Sequence, residues 1–463
     1  MLKSVLLLLS GNAFASLLLL VRNLVVARLI SPEDYGIAST FAISMAIVEI
    51  IANMGLQQLI VQDKDGDDPK LQAGLQGFQV LRGAFSTVFL FAISHPLAAF
   101  LGVPEVAWAY QILAIQPFLL SLYHFDMHRL RRQMRFMPSI MVDVMPALLS
   151  LLLVFPLVKF IDDYRLMLWA LLFQAGVGLI TSHWVAERKF ELTLQRDIVK
   201  RSIVFGWPLF INSALLFVML NGEKLVVGRE LGMVPLAMFS MGFTLTLTPT
   251  LVVARATQAF FLTQLSAVQD DDEKFTPTAY TTIEVSILNG IGLVLAVVLI
   301  GEPFVELVLG DKFAALVPLM IWFGILHGVR VFKTGCATVA LARAKTENAM
   351  IANLFRVFSL PLSYYVAVTS GDLKLVIWIA TMGEVMGFIV SLILVRYRVG
   401  VRLDGLIWPL VTTIVFFVIA SLYGLWGGVA WQVATCIAFV ASVLSMRASW
   451  NYIKARQVVS FEK

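Results

Sequence analysis

Charged side chains are scarce in this chain: Asp, Glu, Lys and Arg make up 14% of its 463 residues, against about 25% in soluble domains. With 59% hydrophobic residues and a mean hydropathy of +0.86, it lacks the polar surface a water-soluble fold needs. Cysteine is scarcer still. Cys336 and Cys436 stand far apart, each in an apolar run, which excludes a CxxC metal site and a secretory disulfide framework. No GxxxxGK[ST] loop is present, so ATP hydrolysis is not expected, and HExxH and GxSxG are also missing. The five histidines, His95, His124, His128, His183 and His327, are dispersed, and the "NGIGL" run from Asn289 lacks the third glycine of a dinucleotide loop. No metal, no cofactor and no catalytic residue is therefore assigned. The net charge of +5 fits cytoplasmic loops better than a nucleic-acid partner.

What the chain does have is apolar runs of about 20 residues, the length that crosses ~30 Å of hydrocarbon. They predict an all-α polytopic membrane protein of about fourteen transmembrane helices, near 5–28, 37–61, 78–101, 106–125, 139–160, 166–186, 204–228, 235–263, 280–300, 316–341, 350–369, 374–395, 406–424 and 428–446. Fourteen such spans use ~280 residues and leave no room for an extramembrane domain. The first run continues through Arg22 to Arg28 without a small-residue cleavage site and is read as a retained span. Basic residues concentrate in alternate loops: Arg129, Arg131, Arg132 and Arg135; then Arg188, Lys189, Arg196, Lys200 and Arg201; then Arg396, Arg398 and Arg402. Arg447, Lys454 and Arg456 of the tail share that side, so both termini are expected in the cytoplasm.

An offset of about 201 residues lays "RNLVVARLISPEDYG" from Arg22 on "EKLVVGRELGMVPLA" from Glu223, matching Leu24, Val25, Val26 and Arg28 to Leu225, Val226, Val227 and Arg229. Each stretch opens one set of six helices, as a parallel duplication would place it. The expected organisation is a six-helix bundle over 1–203, a second over 204–400, and over 401–463 an appended helix pair with a cytoplasmic tail.

Seven cations fall inside predicted spans: Arg22, Arg82, Lys224, Arg255, Arg330, Lys333 and Arg356. Each costs about 2.5–3.5 kcal/mol on insertion scales unless a polar cavity or a partner receives it. They are the candidate substrate-binding residues, a cationic lining for an anionic cargo. His327, Arg330 and Lys333 form one stripe at spacings of three. Arg82, Arg255 and Arg356 lie within about two turns of the cytoplasmic end, and Arg22 near the opposite end, where snorkelling to headgroups is the alternative. Among the acids, Glu49, Glu223 and Glu384 are candidates for a coupling-ion site or for charge partners of the cations, and Glu384 is flanked by Gly383 and Gly387. Asp143 and Glu284 are read as solvated at the interface. Pro117, Pro146, Pro156, Pro208 and Pro249 and the polar "TLTLTPT" from Thr244 mark bent helices.

The segment "VVARLISPEDYGIAST" resembles the signature after the first helix of the oligosaccharide flippases, the Wzx-type branch of the MATE-like exporter superfamily. "LRRQMRFMPSIMVDV" from Leu130, "EKLVVGRELG" from Glu223, "FLTQLSAVQDDDEKF" from Phe261 and "LVPLMIWFGI" from Leu316 resemble family landmarks in the same order, across roughly residues 10–400. The chain departs from many members at Thr263, Gln264 and Leu265, where a proline before a serine is common. The resemblance implies two six-helix bundles in a V around a central cavity. It also implies an undecaprenyl-pyrophosphate-linked oligosaccharide as cargo, carried from the cytoplasmic to the periplasmic leaflet of a bacterial inner membrane for surface polysaccharide synthesis. Membrane lipids, a polysaccharide polymerase and export components are the implied partners. Two other classes compete: a drug or metabolite exporter, which would want an acidic, aromatic cavity, and a membrane polymerase or ligase, which would want catalytic groups on a large external loop.

Overall fold

The computed structural model describes residues 2–52 and 54–452, and side chains over 10–50 and 54–452. Lys3, Lys454 and Arg456 lie outside the described side chains. Among the described residues the chain is helical and has no strand. The helices are α1 (Leu2–Leu29), α2 (Pro32–Ala52), α3 (Leu56–Gln62), α4 (Pro69–Phe100), α5 (Ala107–Leu113), α6 (Ile115–Ser121), α7 (Asp126–Arg132), α8 (Met137–Leu157), α9 (Arg165–Trp184) and α10 (Arg196–Glu230). They continue with α11 (Met233–Ala267), α12 (Asp272–Val308), α13 (Val317–Ala342), α14 (Glu347–Val357), α15 (Ser359–Ser370), α16 (Leu373–Leu394), α17 (Ile407–Trp426) and α18 (Val429–Ser445). Eleven described helices are long and apolar enough to cross a membrane, twelve if the bent pair over 104–132 is one span. The chain is a multi-pass α-helical membrane protein. Each of the fourteen expected runs overlaps helix, but the crossing helices among the described residues number eleven or twelve, with Pro32–Ala52 and Val429–Ser445 outside that count.

Local chemistry sets the helix starts. In "SPED" Ser31 precedes α2, its Oγ accepts from Asp34 N at 3.1 Å, and Pro32 fills the first helical position. Asp68, Asp271 and Asp372 cap α4, α12 and α16 through N–H groups of Lys70, Lys274 and Lys374. Three expected single spans are broken: 37–61 divides between α2 and α3, and two others break at prolines. Pro117 cannot donate to Leu113 O and Pro361 cannot donate to Val357 O. Accordingly α5 gives way to α6 at Ala114, and α14 to α15 at Phe358. After α6 the chain bends by 47° into α7.

The chain forms two compact units, Met1–Ala237 and Met238–Lys463. In the first, α1 packs on α8, α8 on α9, and α10 on α2 and α4. Arg229 at the end of α10 donates to the last carbonyls of α4, Ala99 O at 3.3 Å and Phe100 O at 2.7 Å. The basic loop after α6 is not simply solvated. Arg129 is buried, donating through Nε to Asp126 Oδ1 at 2.5 Å, and Asp126 also accepts from the Glu187 and Arg188 N–H groups. Glu187 receives Arg135 at 2.6 Å and Arg129 at 3.2 Å, and these hydrogen bonds, Arg135's first, hold it below the ordinary carboxylate range.

In the second unit, α13 is the most enclosed span and packs between α12 and α16. The solvated reading of Glu284 is corrected: the side chain is buried on α12 and accepts from Ala448 N at 3.3 Å, Ser449 N at 2.7 Å and Ser449 Oγ at 2.7 Å. A carboxylate with three donors needs no water.

Candidate functional site

Three of the seven cations converge on one acid. Arg330 and Lys333 face inward from α13, Arg356 from the end of α14, and Glu384 from the middle of α16. Arg330 Nε donates to Glu384 Oε1 at 2.8 Å, its Nη2 stands at ion-pair distance from the same oxygen, also 2.8 Å, and Arg356 Nε reaches that oxygen at 3.1 Å. Lys333 Nζ lies 2.6 Å from Oε2 and 3.3 Å from Asn353 Oδ1. Glu384 and Arg356 have no exposed surface, and the side chains of Arg330 and Lys333 are 12% and 10% exposed. One carboxylate thus faces three cations.

Small residues make this approach possible. A Cβ on Gly383 would lie 2.4 Å from Ser359 Oγ, and one on Gly387 would lie 3.1 Å from Ala352 O and 3.4 Å from Lys333 Nζ. The two glycines thus clear the face of α16 beside Glu384 that receives α14, α15 and the Lys333 ammonium. The rest of the stripe is also engaged. His327 Nδ1 meets Thr246 Oγ1 of the "TLTLTPT" segment at 2.7 Å, and the Arg330 guanidinium stands 5.4 Å from the Phe243 ring centre. Arg356 does not snorkel; Glu384 takes it inside the unit. Of the two roles open to Glu384, the geometry is that of a charge partner.

The other candidates are placed apart. Arg22 is buried between α1, α8 and α9, donating to Gln174 Oε1, Ser150 Oγ (3.4 Å) and Asn23 Oδ1 (3.3 Å). Its partners are neutral side chains. Glu223 is buried on α10 while Lys224 beside it is half-buried, and Arg255 on α11 is exposed. Arg82 and Glu49 line a cavity of about 420 Å³ inside the first unit.

Residues beyond the charged set also belong to these surroundings. Asn353 and Phe243 contact the cluster directly. On α4, Gln72, Gln76, Gln79, Arg82 and Ser86 follow one another at spacings of three or four, so the first half of an apolar helix carries a polar stripe. That stripe was available in the sequence, but attention to ionisable residues passed over the glutamines.

Apolar helices long enough to cross a membrane, with buried cations gathered on one acid in the second unit, define a polytopic membrane protein, and solved structures share its fold. The chain superposes on the lipid II flippase MurJ in its inward closed conformation with a TM-score of 0.71 at 12% identity, covering 98% of this chain and 100% of that one. An inward-facing multidrug resistance MATE family transporter of the MOP superfamily gives 0.67 at 17% identity, over 83% and 94%. At such identities the likeness establishes the fold alone. The family comes from sequence: the model described as "Polysaccharide biosynthesis protein" matches residues 25–318, and the chain belongs to that family. A membrane protein of the cps region of Klebsiella pneumoniae is 19% identical over 82% of this chain and 78% of its own length. The lipopolysaccharide biosynthesis protein WzxC of Escherichia coli (strain K12) is 20% identical, over 73% and 69%.

Proposed function

We propose that this protein moves a polyprenyl-pyrophosphate-linked oligosaccharide from the cytoplasmic to the outer leaflet of a bacterial cytoplasmic membrane, supplying surface polysaccharide synthesis, and is a transporter without catalytic activity. The observation that carries the reading is the cluster of Arg330, Lys333 and Arg356 on Glu384. Inside a span each charge is costly, so cations gathered on a single acid suit an anionic cargo. A diphosphate suits them: guanidinium groups pair bidentately with phosphate, and an ammonium adds a point charge. Glu384 holds the cations in place when the cargo is absent. The excess of cations over acids is the reverse of what a cationic drug would require. The family's role in polysaccharide synthesis and the lipid-carrier substrate in the name of the MurJ structure support the same cargo class.

The test is surface polysaccharide in a strain that depends on this protein. Arg330→Gln with Lys333→Gln is expected to abolish it at normal membrane abundance. Because those changes strip Glu384 of partners, Arg330→Gln/Lys333→Gln/Glu384→Gln serves as the neutral control for folding. Full polysaccharide from either variant at normal abundance would refute the assignment. Orientation is tested separately, in a background carrying Cys436→Ser. With both termini cytoplasmic, an exposed cysteine at Asp162 labels from outside with an impermeant reagent, and one at Glu191 only after permeabilisation.

A further inference from the structure

The 420 Å³ cavity of the first unit differs in chemistry from the cationic cluster. It opens among α2, α3, α4 and α6, and Glu49, Gln57, Gln58, Gln79, Arg82 and Ser86 supply its polar wall. One cation and one acid give a net charge of zero, and neither is in an ion pair among the described residues. Gln79 Nε2 donates to Ser121 O at 2.9 Å, which fixes that amide with its carbonyl oxygen left as an acceptor. Arg82 Nη1 and Ser86 Oγ are buried with no hydrogen-bond partner among the described residues. Both atoms are closed off from solvent, so the groups the wall offers a ligand are its exposed carboxylate and amides, Glu49, Gln57 and Gln58.

Ligand class follows from that inventory. An anion would need surplus positive charge, a cation surplus negative charge, and an apolar ligand a wall without amides. Carboxylate and amide groups together suit a ligand that both donates and accepts at every position, as the hydroxyls of a sugar ring do. Pockets for small organic ligands run from about 300 to 1,000 Å³, so one or two rings are accommodated. We propose that this cavity is a carbohydrate subsite, built in the first unit for sugar rings of the exported oligosaccharide, while the second unit's cluster serves the phosphates. The inference rests on the export reading for the identity of the sugar.

The probe is the lipid-free oligosaccharide released by mild acid from the source strain's own surface polysaccharide, titrated against the purified protein in nanodiscs. Saturable binding is expected for the wild type. Arg82→Met should weaken it at least tenfold, as should Gln58→Ala, a residue exposed to the cavity whose loss leaves packing intact. Arg330→Gln/Lys333→Gln/Glu384→Gln should bind the oligosaccharide within about twofold of wild type while losing affinity for polyprenyl pyrophosphate. Two results overturn the subsite: a wild type that binds polyprenyl pyrophosphate but no oligosaccharide, in which case the cavity holds water only, or undiminished binding by both first-unit variants. Polyprenyl pyrophosphate binding unaffected by the second-unit triple variant, together with normal surface polysaccharide, would instead defeat the export reading itself.

Discussion

Glu49 and Glu384 are both acids on apolar helices, yet the two units treat them in opposite ways. In the second unit the acid is fully enclosed and touched by three cations within 2.6–3.1 Å. In the first, Glu49 and Arg82 line the same open cavity without forming a pair. A low dielectric and full burial make the first arrangement indispensable to its surroundings, whereas access to water makes the second replaceable. The contrast separates an acid locked among cations from an acid left open to solvent.

The largest expected effect comes from removing the enclosed acid. Glu384→Gln leaves three buried cations without their counter-charge and should cost about 3–5 kcal/mol, the usual penalty for breaking a buried pair from one side. Glu49→Gln should stay within about 0.5 kcal/mol, as changes away from packed networks do. Thermal unfolding of the purified protein in detergent checks both, and similar shifts for the two would erase the comparison.

A smaller effect is expected at the contact that lets α15 approach α16. Gly383→Ala should cost about 1–3 kcal/mol, because its new methyl meets the Ser359 side chain. Ser359→Gly removes the atoms it would strike, so the double variant should recover most of the loss in unfolding and in surface polysaccharide. A double variant no better than Gly383→Ala would place the strain elsewhere.

Chemical access sharpens the same difference without touching stability. Gln58→Cys, exposed in the first unit, should react with a small methanethiosulfonate reagent, while the native Cys336, buried near Lys333 on α13, should not. Comparable rates would mean that the second unit's interior is as wet as the first's.

The smallest effect lies outside the membrane, at Glu187. Its depressed pKa means that the Arg135 and Arg129 contacts favour the folded loop above the ordinary carboxylate pKa and are lost as acid protonates it. The group is solvent-exposed, so only a slight local loosening is expected on going from pH 7 to below about 4. Hydrogen exchange of the 187–195 segment would register it, and Glu187→Gln should remove the pH dependence.

The stripe of His327, Arg330 and Lys333 could be read directly, because three-residue spacing fixes a helix face whatever surrounds it. Its partner could not: Glu384 lies 54 residues beyond Arg330 and 28 beyond Arg356, and nothing local in the sequence couples them. Gly383 and Gly387 were visible as flanks of Glu384, but only the fold shows that they make room for α15 and Lys333. Pro117 announced a bend in the fourth span, as Pro361 announces one in the eleventh, while the 47° turn before α7 depends on packing no helix rule contains. Arg22 carries the same insertion cost as Arg330 but is received by neutral side chains, Gln174 and Ser150, whose place beside it no local pattern in the sequence reveals.

The tether between Glu284 and the residues after α18 imposes an order in time. Its donors at Ala448 and Ser449 follow it by 164 and 165 residues, which at about 5–20 residues per second is roughly 8–33 seconds of translation. For that interval neither donor exists, so the residues after α18 complete a contact on a helix made long before.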